Sequence, residues 1–463
     1  MPSAFATTVI GWGGGWAPDA GNSFSGAPQN GILVLPFLKQ ADNVLYEIDG
    51  APRKVGGTTR YNATAITESA VAQTITGLYD YFAEGVSRFQ KRIAVAGTQI
   101  LKDDLDGTWD VIKTGLESNK HPAFCTFNDD LIVATDSNSD VPQTWDGSEA
   151  TTQNLGGSPP NFAFMVPHKN RVWAAGVAAN PSRLYYSDVL LHESWTSAGA
   201  GSIDIDPNDG DRITGLFSHK NELFVFKGPN VGSVHRITGS SPTGADAFAR
   251  VPFIADVGSA NHTSILRAND DVLFVSDFGI HSLAVTASYG DYVQGYLSFQ
   301  LQRYFAEGLS HTAFETVWGI NYFTKGSCWW TFARSGSAKD IILAYDYRFK
   351  PGRWSRMTGY LNVECLALMH PTFGRHRPFG GTTTGFVHVL DEETRTIAPS
   401  TAYTSHVHTP SLNFGSSANM KTLEQVFVTY EPQGTGAVTL GATMDFQAEQ
   451  QVALTMAGGD TLT

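Results

Sequence analysis

Along the chain, a short polar turn is followed repeatedly by a compact apolar run. The pattern reads Gln90-Lys91-Arg92 before Ile93–Ala96, Asn128-Asp129-Asp130 before Leu131–Ala134, and Lys169-Asn170-Arg171 before Val172–Ala175. It returns as Lys220-Asn221-Glu222 before Leu223–Phe226 and Asn269-Asp270-Asp271 before Val272–Val275. From Arg92 the successive spacings are 38, 41, 51 and 49 residues, with weaker copies at Ile320–Phe323 and near Val363. Periods of roughly 40–50 residues built from several short strands are those of β-propeller blades, whose sheets bury their faces only by stacking on their neighbours.

A second element keeps step with the first. Tyr186 precedes Trp195, Tyr345 precedes Trp354 and Ile100 precedes Trp109, each by nine residues. This spacing predicts a hairpin with a large residue at each end on one sheet face and Asp, Pro or Gly in the turn. Helical spacing is confined to Leu297, Leu301, Tyr304 and Phe305, ending at Gly308. The fold class expected is all-β: a β-propeller of six or seven blades over residues 75–394. Residues 1–74, with Gly11 and Gly13–Gly15 interleaved with Trp12 and Trp16, read as an extended N-terminal arm and a small β element. Residues 395–463 read as a small C-terminal antiparallel β-domain. There Val438, Leu440, Ala442, Met444 and Phe446 alternate strictly, as do Val452, Leu454 and Met456, after Val426, Val428 and Tyr430. One apolar face results, and it needs a cover.

Composition agrees with a turn-rich β protein: 47 glycines, 12% aromatic residues and 16% charged residues in 463. The formal charge of −13 has the wrong sign for gripping phosphates with a basic surface. No Lys or Arg precedes Lys39, so no secretory signal is expected, and no apolar run reaches the ~20 residues needed to span a bilayer. Cys125, Cys328 and Cys365 are widely spaced and predict buried thiols rather than a disulfide framework or a thiolate zinc site.

The densest acidic cluster is Asp204, Asp206, Asp209 and Asp211, around Pro207-Asn208 and Gly210. Its start imitates a calcium loop, but Gly215 stands twelfth, where a bidentate Glu is required, and Asp209 stands sixth, where Gly is expected. It reads as a solvated turn leading into the strand at Ile213. Asp104, Asp106, Gly107 and Trp109 resemble the Asp-box turns of sialidase propellers, which brace blade corners and carry no chemistry. His406 and His408 alternate on a strand, but no third ligand stands near them in sequence. Arg375-His376-Arg377 reads as a loop tip. Gly-x-Ser-x-Gly and the phosphate-cradling Gly-x-x-x-x-Gly-Lys-Ser/Thr do not occur, and the Gly11–Gly15 run lacks the strand and helix that dinucleotide binding demands. No catalytic constellation, cofactor or metal site is expected.

Several stretches carry a family resemblance. They are Gly13-Gly14-Gly15-Trp16 with the Asn43–Gly50 segment, Arg53-Lys54-Val55-Gly56-Gly57, and Arg183–Asp188 reaching Trp195. Asp209–Leu216 and Phe274–Ile280 follow in the same order. Together they resemble the tail nozzle, or tail tubular B, proteins of short-tailed bacteriophages and the related packaged-DNA-stabilising tail proteins. The resemblance implies a structural virion protein, not an enzyme, made in the host cytoplasm and built into the phage tail. It implies a homo-oligomer, a hexameric ring below the portal and adaptor assembly and beside tail fibre or spike proteins. Double-stranded DNA would be retained by that ring and then pass through its lumen without tight binding, with Asp204, Asp206, Asp209 and Asp211 as candidates for its lining. The alternative is a propeller that binds or hydrolyses glycans at the cell surface.

Overall fold

A computed structural model describes residues 9–12, 14–18, 23–24, 32–35, 37–84, 89–284, 295–370, 374–394, 396–412, 436–442 and 450–456. Seven sheets follow one another in a circle. Blade 1 comprises Ile75–Ala83, Phe89–Ala96, Gln99–Asp103 and Trp109–Lys113, and blade 2 Pro122–Phe127, Asp130–Thr135, Gln143–Trp145 and Gln153–Asn154. Blade 3 comprises Phe164–His168, Arg171–Ala175, Arg183–Tyr186 and Gly201–Asp204, and blade 4 Arg212–His219, Glu222–Gly228, Ser233–Thr238 and Ala249–Ala255. Blade 5 has Leu266–Ala268, Asp271–Ser276 and Gly279–Ser282; blade 6 starts with Gly319–Tyr322, Ser327–Phe332, Ile341–Asp346 and Arg353–Thr358. Blade 7 has Cys365–Met369, Arg377–Gly381 and Val387–Glu392, and takes its outermost strand, Gly57–Arg60, from the N-terminal region. The innermost strand of blade 1 packs against those of both blade 2 and blade 7, which closes the circle. The fold is therefore an all-β propeller with seven blades.

The repeat in the sequence marks the hairpin between the innermost and second strands. Asn128 and Asp129 (φ 50° and 70°), Lys169 and Asn170 (47° and 58°), and Lys220 and Asn221 (48° and 62°) all adopt positive φ, as a two-residue type I′ hairpin requires. Each turn feeds a second strand that is buried on both faces between neighbouring blades. Leu131 and Val133 of blade 2 join Tyr81, Ile93 and Ile100 of blade 1 in one core. Phe224 and Phe226 of blade 4 join Val272 and Phe274 of blade 5 in another. A large apolar side chain gains roughly 1.5–3 kcal/mol by such burial, so each blade depends on its neighbours.

Three local expectations need correction. Gln90-Lys91-Arg92 lies within the strand Phe89–Ala96, not in a turn. The weaker copies at Ile320 and Val363 mark the innermost strands of blades 6 and 7, or the approach to them, rather than second strands. The nine-residue spacing places large residues opposite one another in blade 6 alone, where Tyr345 faces Trp354 with ring centroids 4.6 Å apart. In blade 1 Trp109 stands opposite Asp103 at the turn end of the hairpin, on the face away from Ile100. In blade 3 Tyr186 faces Gly201, and Trp195 is buried within the connection.

The expected short helix is present as Gln302–Glu307, preceded by a 3-10 turn, Phe299–Leu301. Leu301 and Phe305 are fully buried, and the Gly308 N–H caps the helix on the Tyr304 carbonyl. All three cysteines are free and buried, and burial pushes the Cys125 thiol up to about 12.

The chain forms two compact units, Met1–Phe414 and Gly415–Thr463, so the division falls beyond residue 394. Nor do residues 1–74 stand apart from the propeller. Besides Gly57–Arg60, the strand Gln40–Asp42 pairs with Arg353–Thr358 on one side and His406–His408 on the other, making blade 6 six-stranded. In the second unit Gly436–Ala442 and Gln450–Met456 form an antiparallel hairpin, with Val438 opposite Leu454 and Leu440 opposite Val452. Met444, Phe446, Val426, Val428 and Tyr430 lie outside the described residues.

Candidate functional site

The acidic loop carries the chain from the outermost strand of blade 3 to the innermost strand of blade 4. Each of its four carboxylates has a partner. Asp204 receives both Nε (2.6 Å) and Nη2 (3.1 Å) of Arg183, a fork that holds its carboxyl below the usual range. Asp206 accepts from Arg250 Nη1, and His235 Nε2 stands 3.7 Å away. Asp211 is buried and accepts three backbone N–H groups of the facing turn, from Asn230 (2.7 Å), Val231 (3.2 Å) and Gly232 (2.8 Å).

Lys227 organises the rest. It ends the run Leu223-Phe224-Val225-Phe226 on the second strand of blade 4, and its side chain is 0% exposed. Its ammonium donates to the carbonyls of Ile205 and Asp206, both at 2.8 Å, and to Asp209 Oδ2 at 2.6 Å. Burial raises the Asp209 pKa, but the bonds from Lys227 and from the Asp211 N–H outweigh that effect and leave it lowered. The loop thus places oxygens around a cation as a calcium loop does, and the cation is the chain's own lysine. A buried ammonium is tolerated only when its protons are all engaged, and these three acceptors meet that need. The arrangement is an ionic brace between blades 3 and 4.

Sequence reading singled out the four aspartates and missed Lys227, Arg183, Arg250 and His235. The available signal was a single charge closing an otherwise apolar strand, since Lys is almost never fully buried unless paired.

Other polar clusters also serve the framework. Asp103 is fully buried, accepts from Tyr61 Oη at 2.6 Å and from the N–H groups of Asp106 and Gly107, and so braces the turn expected at Asp104–Trp109. Asp104 meets Lys91 and Lys102 at 2.7 and 3.0 Å. Burial raises the Asp80 pKa; its carboxylate accepts from the His370 N–H and from Gln90, tying blade 1 to blade 7. His406 and His408 are exposed on the edge strand of blade 6. Arg377 pairs with Glu392, and His376 packs edge-on to His370. Among the described residues, no three His, Cys, Asp or Glu side chains converge to hold a metal ion. Among the described residues, a cleft beside Tyr46 and Arg348 and another beside Pro229 and Phe278 leave about 10 and 20 Å³, room for about one water each.

No protein-family profile matches the sequence, and no curated protein matches it. Among solved structures, the chain is similar to the WD40 β-propeller domain of Doa1, at 11% identity and a TM-score of 0.44, over 72% of this chain and 97% of that one. It is also similar to XC5397, a gluconolactonase from Xanthomonas campestris, at 13% identity and a TM-score of 0.33, over 73% of this chain and 98% of that one.

Proposed function

We propose that this propeller is a structural subunit of a ring-shaped tail conduit in a short-tailed bacteriophage virion, lying below the portal and adaptor and retaining packaged DNA until ejection. The observation that carries the reading is where the N-terminal resembling residues lie: they fasten that region to blades 6 and 7. Trp16 is buried on blade 6, and its N–H donates to the Trp354 carbonyl at 2.8 Å. Gly15 passes so close to that strand that a Cβ would lie 2.6 Å from Trp354 N. Asn43 donates through Nδ2 to the carbonyls of Thr358 (2.8 Å) and Thr404 (2.7 Å) and accepts the Thr358 N–H at 2.9 Å. Arg53 pairs with Asp391 of blade 7, and Tyr360 Oη donates to the carbonyls of Gly56 and Gly57 at 2.7 and 3.2 Å. Asp209 and Asp211 belong to the brace around Lys227.

Residues so committed leave the seam as framework, which suits a subunit that must withstand pressure from packaged DNA. Electron microscopy of the purified protein tests the reading. A ring of six subunits with a central aperture is the expected image. Single propellers at all concentrations, with and without a portal–adaptor assembly, would reject it. Turnover by a panel of glycosidase, lactonase and esterase substrates would instead favour an enzyme.

A further inference from the structure

Residues 396–412 lead from blade 7 toward the second compact unit, Gly415–Thr463, and their ladder partners come from the N-terminal region. Thr396–Ile397 pairs with Thr401–Ala402 inside the segment, His406–His408 pairs with Gln40–Asp42, and Ser411–Leu412 runs parallel to Ser23–Phe24. The bonds between these ladders have the same source. Asn43 Nδ2 donates to the Thr404 carbonyl at 2.7 Å, and the Asn43 carbonyl accepts Ser405 Oγ at 2.9 Å. The Lys39 N–H donates to the His408 carbonyl at 2.8 Å, and the Ala398 N–H to Thr58 Oγ1 at 3.1 Å. One side chain pins the whole segment. Tyr403 is buried under Lys54, whose ammonium lies 4.0 Å from the ring centroid and donates to the Tyr403 carbonyl at 2.8 Å. The phenol donates to the Val55 carbonyl, and Tyr360 meets the ring edge-on at 5.2 Å.

The two sides of this junction are unequal. The N-terminal side is fixed to blade 6 by contacts of its own: Arg356 forks onto Asp42 at 2.7 and 2.8 Å, Tyr46 Oη donates to the Trp354 carbonyl at 2.9 Å, and Leu38, Ala41 and Val44 are buried in the blade's core. The segment itself buries little. Thr401, Ala402, His406–His408 and Ser411 are exposed; Ile397 and Tyr403 join the core, and Leu412 packs at its margin. A single second strand of a blade, by contrast, is buried at four successive positions, Leu131–Ala134. Local opening is easiest where few apolar contacts are buried, which puts this segment at the low end of the molecule's stability and the blades at the high end. We propose that residues 396–412 form a latch with Tyr403 as its pin: withdrawing the pin swings the segment off its N-terminal dock while the seven blades stay closed. The 17 residues so released span at most about 60 Å when extended, which lets Gly415–Thr463 engage a partner away from its own propeller. The latch operates within one chain, whether or not that chain enters a ring.

Native-state hydrogen exchange of the full chain tests it. The Lys39 and Ala398 amides report on the latch, because each donates across the junction. Both are expected to exchange at least about 100-fold faster than the ladder amides of Leu131–Ala134 and Leu223–Phe226. Tyr403→Ala removes the pin and should speed the two reporters by a further tenfold or about that, with the blade amides unchanged. Tyr403→Phe keeps the ring under Lys54 and loses only the bond to Val55, so its rates should fall between those of the wild type and Tyr403→Ala. Reporters that exchange no faster than the blades in the wild type would overturn the latch. So would a Tyr403→Ala chain that fails to fold, or whose blades loosen in step with the reporters, since the segment would then belong to the propeller's cooperative fold.

Discussion

A lysine at the end of an apolar strand decides what the acidic loop is. Lys227 has no exposed surface and three oxygen partners, so Lys227→Ala strands Asp209 and two carbonyls without their donor. Breaking a buried pair by removing one partner is strongly destabilising, and about 3 kcal/mol is expected here in chemical denaturation. Asp204→Asn breaks an exposed pair and is expected to cost less than about 1 kcal/mol. Equal effects for the two variants would refute the brace. Four histidines make a separate prediction. Burial pushes His168, His262 and His388 down to about 4, and His281 down to about 3, from an ordinary value of 6.5. The folded chain thus holds these rings neutral while the unfolded chain protonates them, so their contribution is full above pH 6.5 and is lost as the pH falls toward 4. Thermal midpoints should decline through that window. His281→Phe, which keeps the stack on Phe274 but loses the bond to Ser276, should lower the midpoint at neutral pH and make the decline shallower. A flat wild-type profile between pH 6.5 and 4 would contradict this account.

At the scale of strands and turns, the sequence showed what is local. The hairpin turns at Asn128-Asp129, Lys169-Asn170 and Lys220-Asn221 were readable because positive φ selects residue types at fixed positions. The helix before Gly308 was readable from its spacing. The pairing of Trp109 with Asp103, away from Ile100, was not, because the register is set by where the hairpin turn falls, which a nine-residue spacing does not specify. That a strand from elsewhere in the chain closes the last blade follows from the repeat; that the strand is Gly57–Arg60, paired with residues more than 300 positions away, was not readable. Only the crowding at that seam explains its glycines after the fact: a Cβ on Gly56 would lie 2.1 Å from the Glu392 carbonyl oxygen. Gly56→Ala should therefore force the seam open, at roughly 1–3 kcal/mol as for other overpacked sites. A chain beginning after residue 61 should leave blade 7 with an unpaired edge and aggregate, as read by light scattering. A soluble, monodisperse truncated chain with the wild-type midpoint would show that closure does not depend on this strand.

For the whole molecule, the fate of the acidic loop changes what its charge can do. The sequence alone offers Asp204, Asp206, Asp209 and Asp211 as a bare anionic strip against passing DNA. In the fold, Arg183, Arg250, Lys227 and three backbone N–H groups answer those carboxylates, so the loop presents nearly balanced pairs. At a Debye length of about 8 Å in physiological salt, such pairs are felt only weakly beyond the surface. A lumen lined this way would neither repel the duplex strongly nor hold it by releasing its counterions, while the net charge of −13 per subunit opposes general phosphate binding. The assembled protein should accordingly bind duplex DNA no more tightly than about 10⁻⁴ M at physiological salt, the weak end of nonspecific affinities. The pairing also sets a direction: Arg183→Ala and Arg250→Ala together uncover two carboxylates, so any residual binding at low salt should weaken. Fluorescence anisotropy on a labelled duplex across a salt series measures both. Micromolar binding with a steep salt slope, or tighter binding in the double variant, would overturn a lumen that lets a polyanion slide and leave the propeller itself unaffected.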